Sequence, residues 1–143
     1  MGMDDRSAVI AANERFYRAF ERRDLAAMAA CWSGTDGDAC IHPGWEPVYG
    51  NEAVMEAWAG IFATGVPMQF TVSDLVVQLL GDIARVHNVE NISVAGEREA
   101  IGRVAVTHLF LRRGSQWRMV LHHGSPIAAD GEAPERLSEP EFH

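Results

Sequence analysis

Residues 99–112, EAIGRVAVTHLFLR, decide the architecture expected of this chain. Successive side chains of a strand point to opposite faces, and here both alternating sets are largely apolar. One set contains Val104, Val106, His108 and Phe110, and the other contains Ile101, Ala105, Leu109 and Leu111. The first face has to pack on a core, and the second is too apolar to meet only solvent. We therefore predict a long strand whose sheet packs on helices and, on its outer face, on a second copy of the chain in a homodimer.

Further segments with the character of strands lie on both sides of this one. They are rich in β-branched and apolar residues, and short turns containing Gly separate them. Consecutive strands joined by such turns pair as an antiparallel meander. The predicted long strands are 68–80, 83–95, 99–112 and 116–126.

The first half of the chain instead shows the 3.6-residue period of helices. Asp24 and Asn51 are suitable N-caps for the second and third of them. The predicted elements are helices 5–23, 25–32 and 52–63, with a short strand at 39–42. Helices on one face of a curved antiparallel sheet make an α+β fold. Its core should contain Phe16, Phe20, Trp58 and Phe110.

Composition limits the class of protein. The length of 143 residues suits one domain, and the net charge of −8 argues against nucleic acid or an anionic membrane as a partner. No apolar run approaches the ~20 residues of a membrane span, and the N-terminus lacks a secretory apolar segment. We therefore expect a soluble, cytoplasmic protein with one domain over 1–127 and an acidic, mobile tail over 128–143.

Motifs for metals and cofactors are missing from the sequence. It contains no H-x-H, H-E-x-x-H or acidic calcium loop, and no Gly-rich loop that leads into a helix. Cys31 and Cys40 form no disulfide framework and fit no zinc ribbon, so they are interpreted as small buried residues. We accordingly expect neither a metal nor a cofactor.

Three segments carry a family resemblance. They are FYRAFERRDLAAMAACW (16–32), HPGWEPVYGNEAVMEAW (42–58) and WRMVLHHGSP (117–126). Together with the order of elements, they resemble the nuclear transport factor 2-like superfamily and, within it, the SnoaL-like subgroup of unassigned function. The resemblance implies a cone-shaped sheet wrapped around the first helix, with a pocket at its open end. The superfamily contains isomerases, cyclases, dehydratases and non-catalytic binding modules, so the fold does not identify the reaction.

The resemblance gives His42 a candidate role. Steroid isomerases of the superfamily have an Asp-Pro where this chain has His42-Pro43, and that Asp is their general base. A histidine is competent for proton transfer near neutral pH, although His42 is equally suited to capping loop carbonyls. The loop that holds it lies at the pocket rim in the superfamily, so Trp45 and Tyr49 should help to close the mouth. The isomerases' second acid donor has no counterpart here, which argues against steroid isomerase chemistry.

Two further histidines are candidates for the same pocket. His108 shares the inward face of its strand with Phe110, which is also a candidate for the pocket lining, although a lone strand histidine is more often a core residue. Strict alternation places His123 inward with Ser125, and His122 outward. Their alternative role is a hydrogen-bonded pair at the end of the sheet.

Glu90 completes the set of predicted pocket residues. An inward Glu90 would have a raised pKa and could transfer protons, whereas an outward one would be an ordinary surface charge. Two functions from different classes therefore remain open. The first is an enzyme without a cofactor, in which histidine transfers protons while a small polycyclic or apolar carbonyl-type substrate is isomerised, cyclised or dehydrated. The second is a non-catalytic ligand-binding or dimerisation module.

Overall fold

The computed structural model describes residues 4–129, and it arranges them as helices packed on one six-stranded sheet. The helices are α1 (Asp5–Arg22), α2 (Leu25–Cys31) and α3 (Asn51–Ala63). The strands are β1 (Ala39–Ile41), β2 (Val48–Tyr49), β3 (Met68–Leu80), β4 (Ile83–Val94), β5 (Ala100–Arg113) and β6 (Gln116–Pro126). The predicted α+β fold is confirmed, and β2 is an additional short strand. The tail predicted at 128–143 lies outside the described residues from residue 130 onward.

The sheet has the strand order β2-β1-β6-β5-β4-β3. The four long strands form the predicted antiparallel meander, and β1 joins β6 in parallel. Register shifts interrupt all three pairings of the meander, and such bulges bend a strand and increase its twist. The result is a curved, open sheet with an inward face toward the helices. None of the helices within residues 4–129 combines the length and hydropathy of a membrane-spanning segment.

Local capping explains where the helices begin. Asp4 accepts a hydrogen bond from Ser7 N–H at 2.8 Å, and Asp24 accepts one from Ala27 N–H at 3.0 Å. The third cap differs from the prediction, because Asn51 is the first helical residue and Gly50 (φ 88°) is the cap. The Asn51 side chain is used elsewhere, as described below.

The core lies between α1, α3 and the inward face of the sheet. Phe16, Trp58 and Phe110 are fully buried there, and Phe20 is half-buried against them. The Phe16 ring lies edge-on to Trp58 with centroids 5.6 Å apart, a favoured geometry for aromatic pairs. The predicted core is therefore confirmed.

A bulge in β6 reverses the expected orientation of its histidines. Leu109 pairs with Leu121 and Phe110 pairs with Met119, so Val120 is an extra residue without its own partner. Met119 points inward, but the next inward residue is three positions later, at His122. The prediction that His123 and Ser125 point inward is wrong, because it assumed strict alternation across this bulge. Both residues are exposed on the outer face, and His122 is buried.

Candidate functional site

A cavity of about 240 Å³ lies between the inward face of the sheet, two helices and the loop after β1. We call it the cone cavity. Most of its wall is apolar, and convergent polar groups are few, as is typical of small-molecule sites. Its lining consists of Phe20, His42, Pro43, Trp45, Ile61, Met68, Phe70, Glu90, Ile92, Val104 and His122.

The loop sequence His-Pro-Gly-Trp positions the cavity mouth. Proline followed by a glycine with positive φ is the pattern of a type II turn, and Gly44 has φ 83°. Trp45 N–H closes this turn by donating to the His42 carbonyl at 2.8 Å. The Trp45 indole then lies edge-on to the His42 ring, with centroids 4.8 Å apart, and remains 47% exposed. Trp45 therefore covers His42 on the solvent side.

The buried Asp38 fixes the other end of this loop. Its carboxylate accepts hydrogen bonds from Ser33 Oγ at 2.5 Å, Gly34 N–H at 3.0 Å and Asn51 Nδ2 at 2.9 Å. Its backbone carbonyl accepts Gly50 N–H at 2.7 Å. The loop is thus held at both ends, so His42, Pro43 and Trp45 face the cavity in a defined geometry.

Glu90 brings a carboxyl group into the apolar wall. It is only 3% exposed, and its Oε2 accepts a hydrogen bond from Tyr17 Oη at 2.7 Å. Asn88 Nδ2 donates in turn to Tyr17 Oη at 3.0 Å. Asn88 and Glu90 share the inward face of β4, and α1 supplies the tyrosine.

The same chain of hydrogen bonds continues to the histidines. Asn13 Nδ2 donates to Asn88 Oδ1 at 3.1 Å, and Asn13 Oδ1 lies 2.7 Å from Nδ1 of His108. An amide oxygen only accepts, so His108 carries its proton on Nδ1, which leaves Nε2 as an acceptor. His122 Nδ1, 2.8 Å away, therefore donates to that nitrogen. This order leaves the lone pair of neutral His122 on its Nε2, at the end of the chain opposite Glu90.

Burial favours the neutral form of Glu90 and of the three histidines, and so shifts their pKa values. It raises the pKa of Glu90 to about 7, although the hydrogen bond from Tyr17 partly opposes this. It lowers the pKa of His42 to about 4 and that of His108 to about 3. The pKa of His122 falls well below 6.5 because of burial and then because of the neighbouring His108, His42 and His123. At neutral pH the cavity thus combines uncharged imidazoles with a carboxyl group that is available in both protonation states.

Cys40 lies behind the His42 ring. Its Sγ is 3.2 Å from Nε2 of His42, and the residue is fully buried. Burial raises the pKa of this thiol, so it is protonated in the absence of a charged partner.

The predicted site residues lie in three places: on the cavity wall, directly behind it, and elsewhere in the fold. His42, Trp45 and Glu90 lie on the wall of the cone cavity. His108 lies one hydrogen bond behind His122, so it contacts the site through another residue and does not line it. The catalytic roles proposed for these residues stay predictions.

Four predicted pocket residues lie elsewhere. Tyr49 is 71% exposed, because in β2 it alternates with Val48, which packs against the core. Phe110 is the next inward residue of β5 after His108 and is fully buried. It packs in the core and does not line the cavity. His123 and Ser125 line a groove on the outer face of the sheet for the reason given above.

Several residues of the site were not predicted from the sequence. His122 was assigned to the wrong face, and no residue pattern signalled the bulge at Val120. Asn13 and Tyr17 lie on the buried face of α1, where two polar residues among apolar ones could have been taken as signs of a buried network.

Comparison with solved structures defines the class of protein. A candidate dehydratase of the NTF2-like family from Streptomyces avermitilis is 32% identical, with a TM-score of 0.77 over 86% of this chain and 96% of its own. A candidate calcium/calmodulin-dependent protein kinase type II association domain from Thiobacillus denitrificans is 33% identical, with a TM-score of 0.79 over 83% of this chain and 94% of its own. A Nostoc punctiforme protein with a cystatin-like fold, 15% identical at a TM-score of 0.75, covers 94% of this chain and 98% of its own and shares the fold alone. The fold is that of the NTF2-like superfamily.

The family within that class follows from the sequence match. The SnoaL-like domain matches residues 9–130, and the chain belongs to this family. The F-box protein SKIP8 of Arabidopsis thaliana is 30% identical over 125 residues, which is 87% of this chain. The chain spans about half, 52%, of the length of that relative.

Proposed function

We propose that this chain is an enzyme that binds a small, largely apolar carbonyl compound in the cone cavity and transfers a proton on it. The observation that carries this proposal is Glu90, a buried carboxyl group in an apolar wall with a pKa of about 7. Proton transfer is most efficient when the pKa of the acid or base lies near the working pH. Perturbed carboxyl groups of this kind are concentrated at functional sites.

The geometry suggests a role for each polar group. Tyr17 holds Oε2 of Glu90, so Oε1 is the oxygen left to remove a proton from the carbon next to the ligand's carbonyl. His42 is neutral and has one N–H, which can donate to the carbonyl oxygen as negative charge develops there. The apolar wall excludes water and strengthens both interactions. The sequence suggested that a histidine transfers the proton. In this proposal a carboxyl group transfers it instead.

Removal of such a proton is the first step of dehydration, isomerisation and cyclisation alike. In a β-hydroxy carbonyl compound the resulting enolate expels hydroxide, which leaves as water after protonation. The candidate dehydratase that is 32% identical to this chain favours dehydration among the three.

Hydrogen–deuterium exchange tests the proton transfer without knowledge of the natural substrate. The bicyclic ketone 2-tetralone, incubated with the protein in D2O, should exchange its α-hydrogens, which ¹H NMR follows. Glu90→Gln should lower the protein-dependent rate by about 10²–10⁴-fold, the usual contribution of a positioned acid or base. Glu14→Gln, a change at an exposed residue of α1, is the matched control and should leave the rate unchanged. Equal rates for wild type and Glu90→Gln would overturn the proposal.

A second candidate function, self-association, is favoured by the outer face of the sheet. Leu80, Ile83 and Leu111 are cross-strand neighbours there, and Leu80 is 52% exposed. The 33% identity to a candidate association domain supports the same function. We propose that this face forms a homodimer, which is compatible with an enzyme in the cone cavity. The cytoplasmic location stays a prediction.

A further inference from the structure

We propose that Cys40, His42 and His122 form a three-ligand site for a zinc-class metal ion, with its open coordination position facing the cone cavity. The three side chains are buried, and one ligand atom from each lies within 4.8 Å of the others. Motif searches do not find this set, because two ligands are two residues apart and the third is far away in the sequence. This inference replaces the sequence-based expectation that the chain binds no metal.

The backbone brings the three ligands together. Cys40 and the residue two positions later, His42, point to the same side of the chain as it leaves β1. His122 is the direct neighbour of Cys40 in the parallel pairing of β1 and β6. The bulge at Val120 is what turns His122 to this face. Two of the three ligands therefore lie on paired strands, and the third, His42, is the first residue after β1.

The distances suit a tetrahedral ion. Zinc bonds of about 2.3 Å to sulfur and 2.0–2.1 Å to nitrogen imply ligand atoms about 3.4–3.6 Å apart. The Sγ of Cys40 is 3.2 Å from Nε2 of His42, and the widest separation in the cluster does not exceed 4.8 Å. The widest separation therefore exceeds the tetrahedral spacing by at most about 1.4 Å, a difference that rotation about the side-chain bonds would have to close.

The donor set selects the class of ion. A thiolate and two imidazoles suit zinc and its soft or borderline neighbours, whereas magnesium and calcium require oxygen ligands. On binding, the ion displaces the Cys40 thiol proton to solvent and forms a sulfur–metal bond. Three protein ligands leave the fourth position for water or another ligand, as in catalytic zinc sites.

The surroundings of His122 prepare it for this role. Its Nδ1–H is held by Nε2 of His108, which fixes the ring orientation as the outer partners of metal-bound histidines do. Its Nε2 makes no hydrogen bond within residues 4–129, and the side chain lines the cavity together with His42. A carbonyl or carboxylate ligand in the cavity would therefore reach the open position.

Cobalt substitution tests the site directly. The full chain, stripped with EDTA and kept reduced, is titrated with Co²⁺ and monitored by absorption spectroscopy. The wild type should show a sulfur-to-cobalt charge-transfer band with tetrahedral d–d bands, and Zn²⁺ should abolish both. Cys40→Ser should remove the charge-transfer band and weaken Zn²⁺ binding by more than about 100-fold, beyond the effect of losing an outer partner.

Matched controls show whether the proposed ligands, and not other cysteine or histidine residues of the chain, bind the ion. Cys31→Ser changes the other cysteine and His123→Gln changes the adjacent histidine, and both variants should keep the wild-type spectrum. His122→Gln should lose the tetrahedral bands. Glu90→Gln should keep them, so failure of the proton-transfer proposal would leave this one intact.

The proposal is overturned if the wild type shows no charge-transfer band on Co²⁺ addition. It is also overturned if Cys40→Ser retains the band or if Cys31→Ser loses it. X-ray absorption of the zinc-loaded wild type gives the same answer without a variant, because the site requires one sulfur and two imidazole nitrogens around the ion.

Discussion

Lowering the pH from 6.5 to 5.5 should destabilise the folded chain, because buried histidines resist protonation in the fold. His42, His108 and His122 have folded pKa values below the unfolded value of 6.5, so the unfolded state takes up three protons that the folded state does not. This stability is present above pH 6.5 and is lost as the pH falls toward the folded pKa values. Glu90 acts in the opposite direction, because its folded pKa of about 7 exceeds the unfolded 4.5.

The net effect follows from the proton count. Three protons on the unfolded side and one on the folded side leave a difference of two, or roughly 3 kcal/mol per pH unit when titration is complete. Partial protonation near pH 6.5 reduces the loss over the first unit to about 2 kcal/mol. Domains of this kind are stable by about 5–15 kcal/mol, so the change is a large fraction of the total.

Urea unfolding followed by tryptophan fluorescence, with EDTA present to exclude bound metal, measures this difference. Glu90→Gln removes the opposing proton and should increase the loss between pH 6.5 and 5.5 to about 3 kcal/mol. Glu14→Gln, the exposed control, should reproduce the wild-type loss. A free energy of unfolding that is constant or higher at pH 5.5 would refute the reasoning.

Three further predictions address the fold and its assembly. Leu109→Glu places a charge on the outer face of the sheet and should convert a homodimer into monomers in sedimentation experiments; a wild type that is already monomeric at micromolar concentration would rule out the dimer. Phe16→Ala removes the ring at the centre of the aromatic core and should lower the free energy of unfolding by about 3–5 kcal/mol in urea titrations. Asp38→Ala removes three hydrogen bonds that partly buried donors make to a buried carboxylate and should cost about 2–3 kcal/mol in the same assay, and a loss below about 0.5 kcal/mol would show that the loop is not held by this carboxylate.

The fold was predictable because the spacing of apolar residues along the chain indicates where most of its helices and strands lie. Alternating apolar residues gave the limits of β3 and β6 to the residue, and the apolar stripe through Phe16 and Phe20 identified α1 as the core helix. Short elements were less accessible. A strand of two residues, such as β2, contains too few positions for any period to emerge.

The candidate site was predictable only where it depends on local sequence. The His-Pro-Gly-Trp turn is encoded by its own residues, so His42 and Trp45 were placed near the cavity. The part of the network from Glu90 to His108 depends on contacts between residues more than seventy positions apart, and a single sequence contains no signal for such pairs. The inward turn of His122 depends on one unpaired residue whose side chain is unremarkable.

Val120 matters for aligning this chain with its relatives. In a relative whose β6 lacks the extra residue, the inward side chain that follows the equivalent of Met119 comes two positions later. In a gapless alignment, that position falls opposite Leu121 of this chain. A gapless alignment would therefore match His122 with a residue from the outer face. A one-residue gap opposite Val120 restores the correspondence, and substitution patterns at the metal and cavity positions of β6 are meaningful only after that gap is introduced.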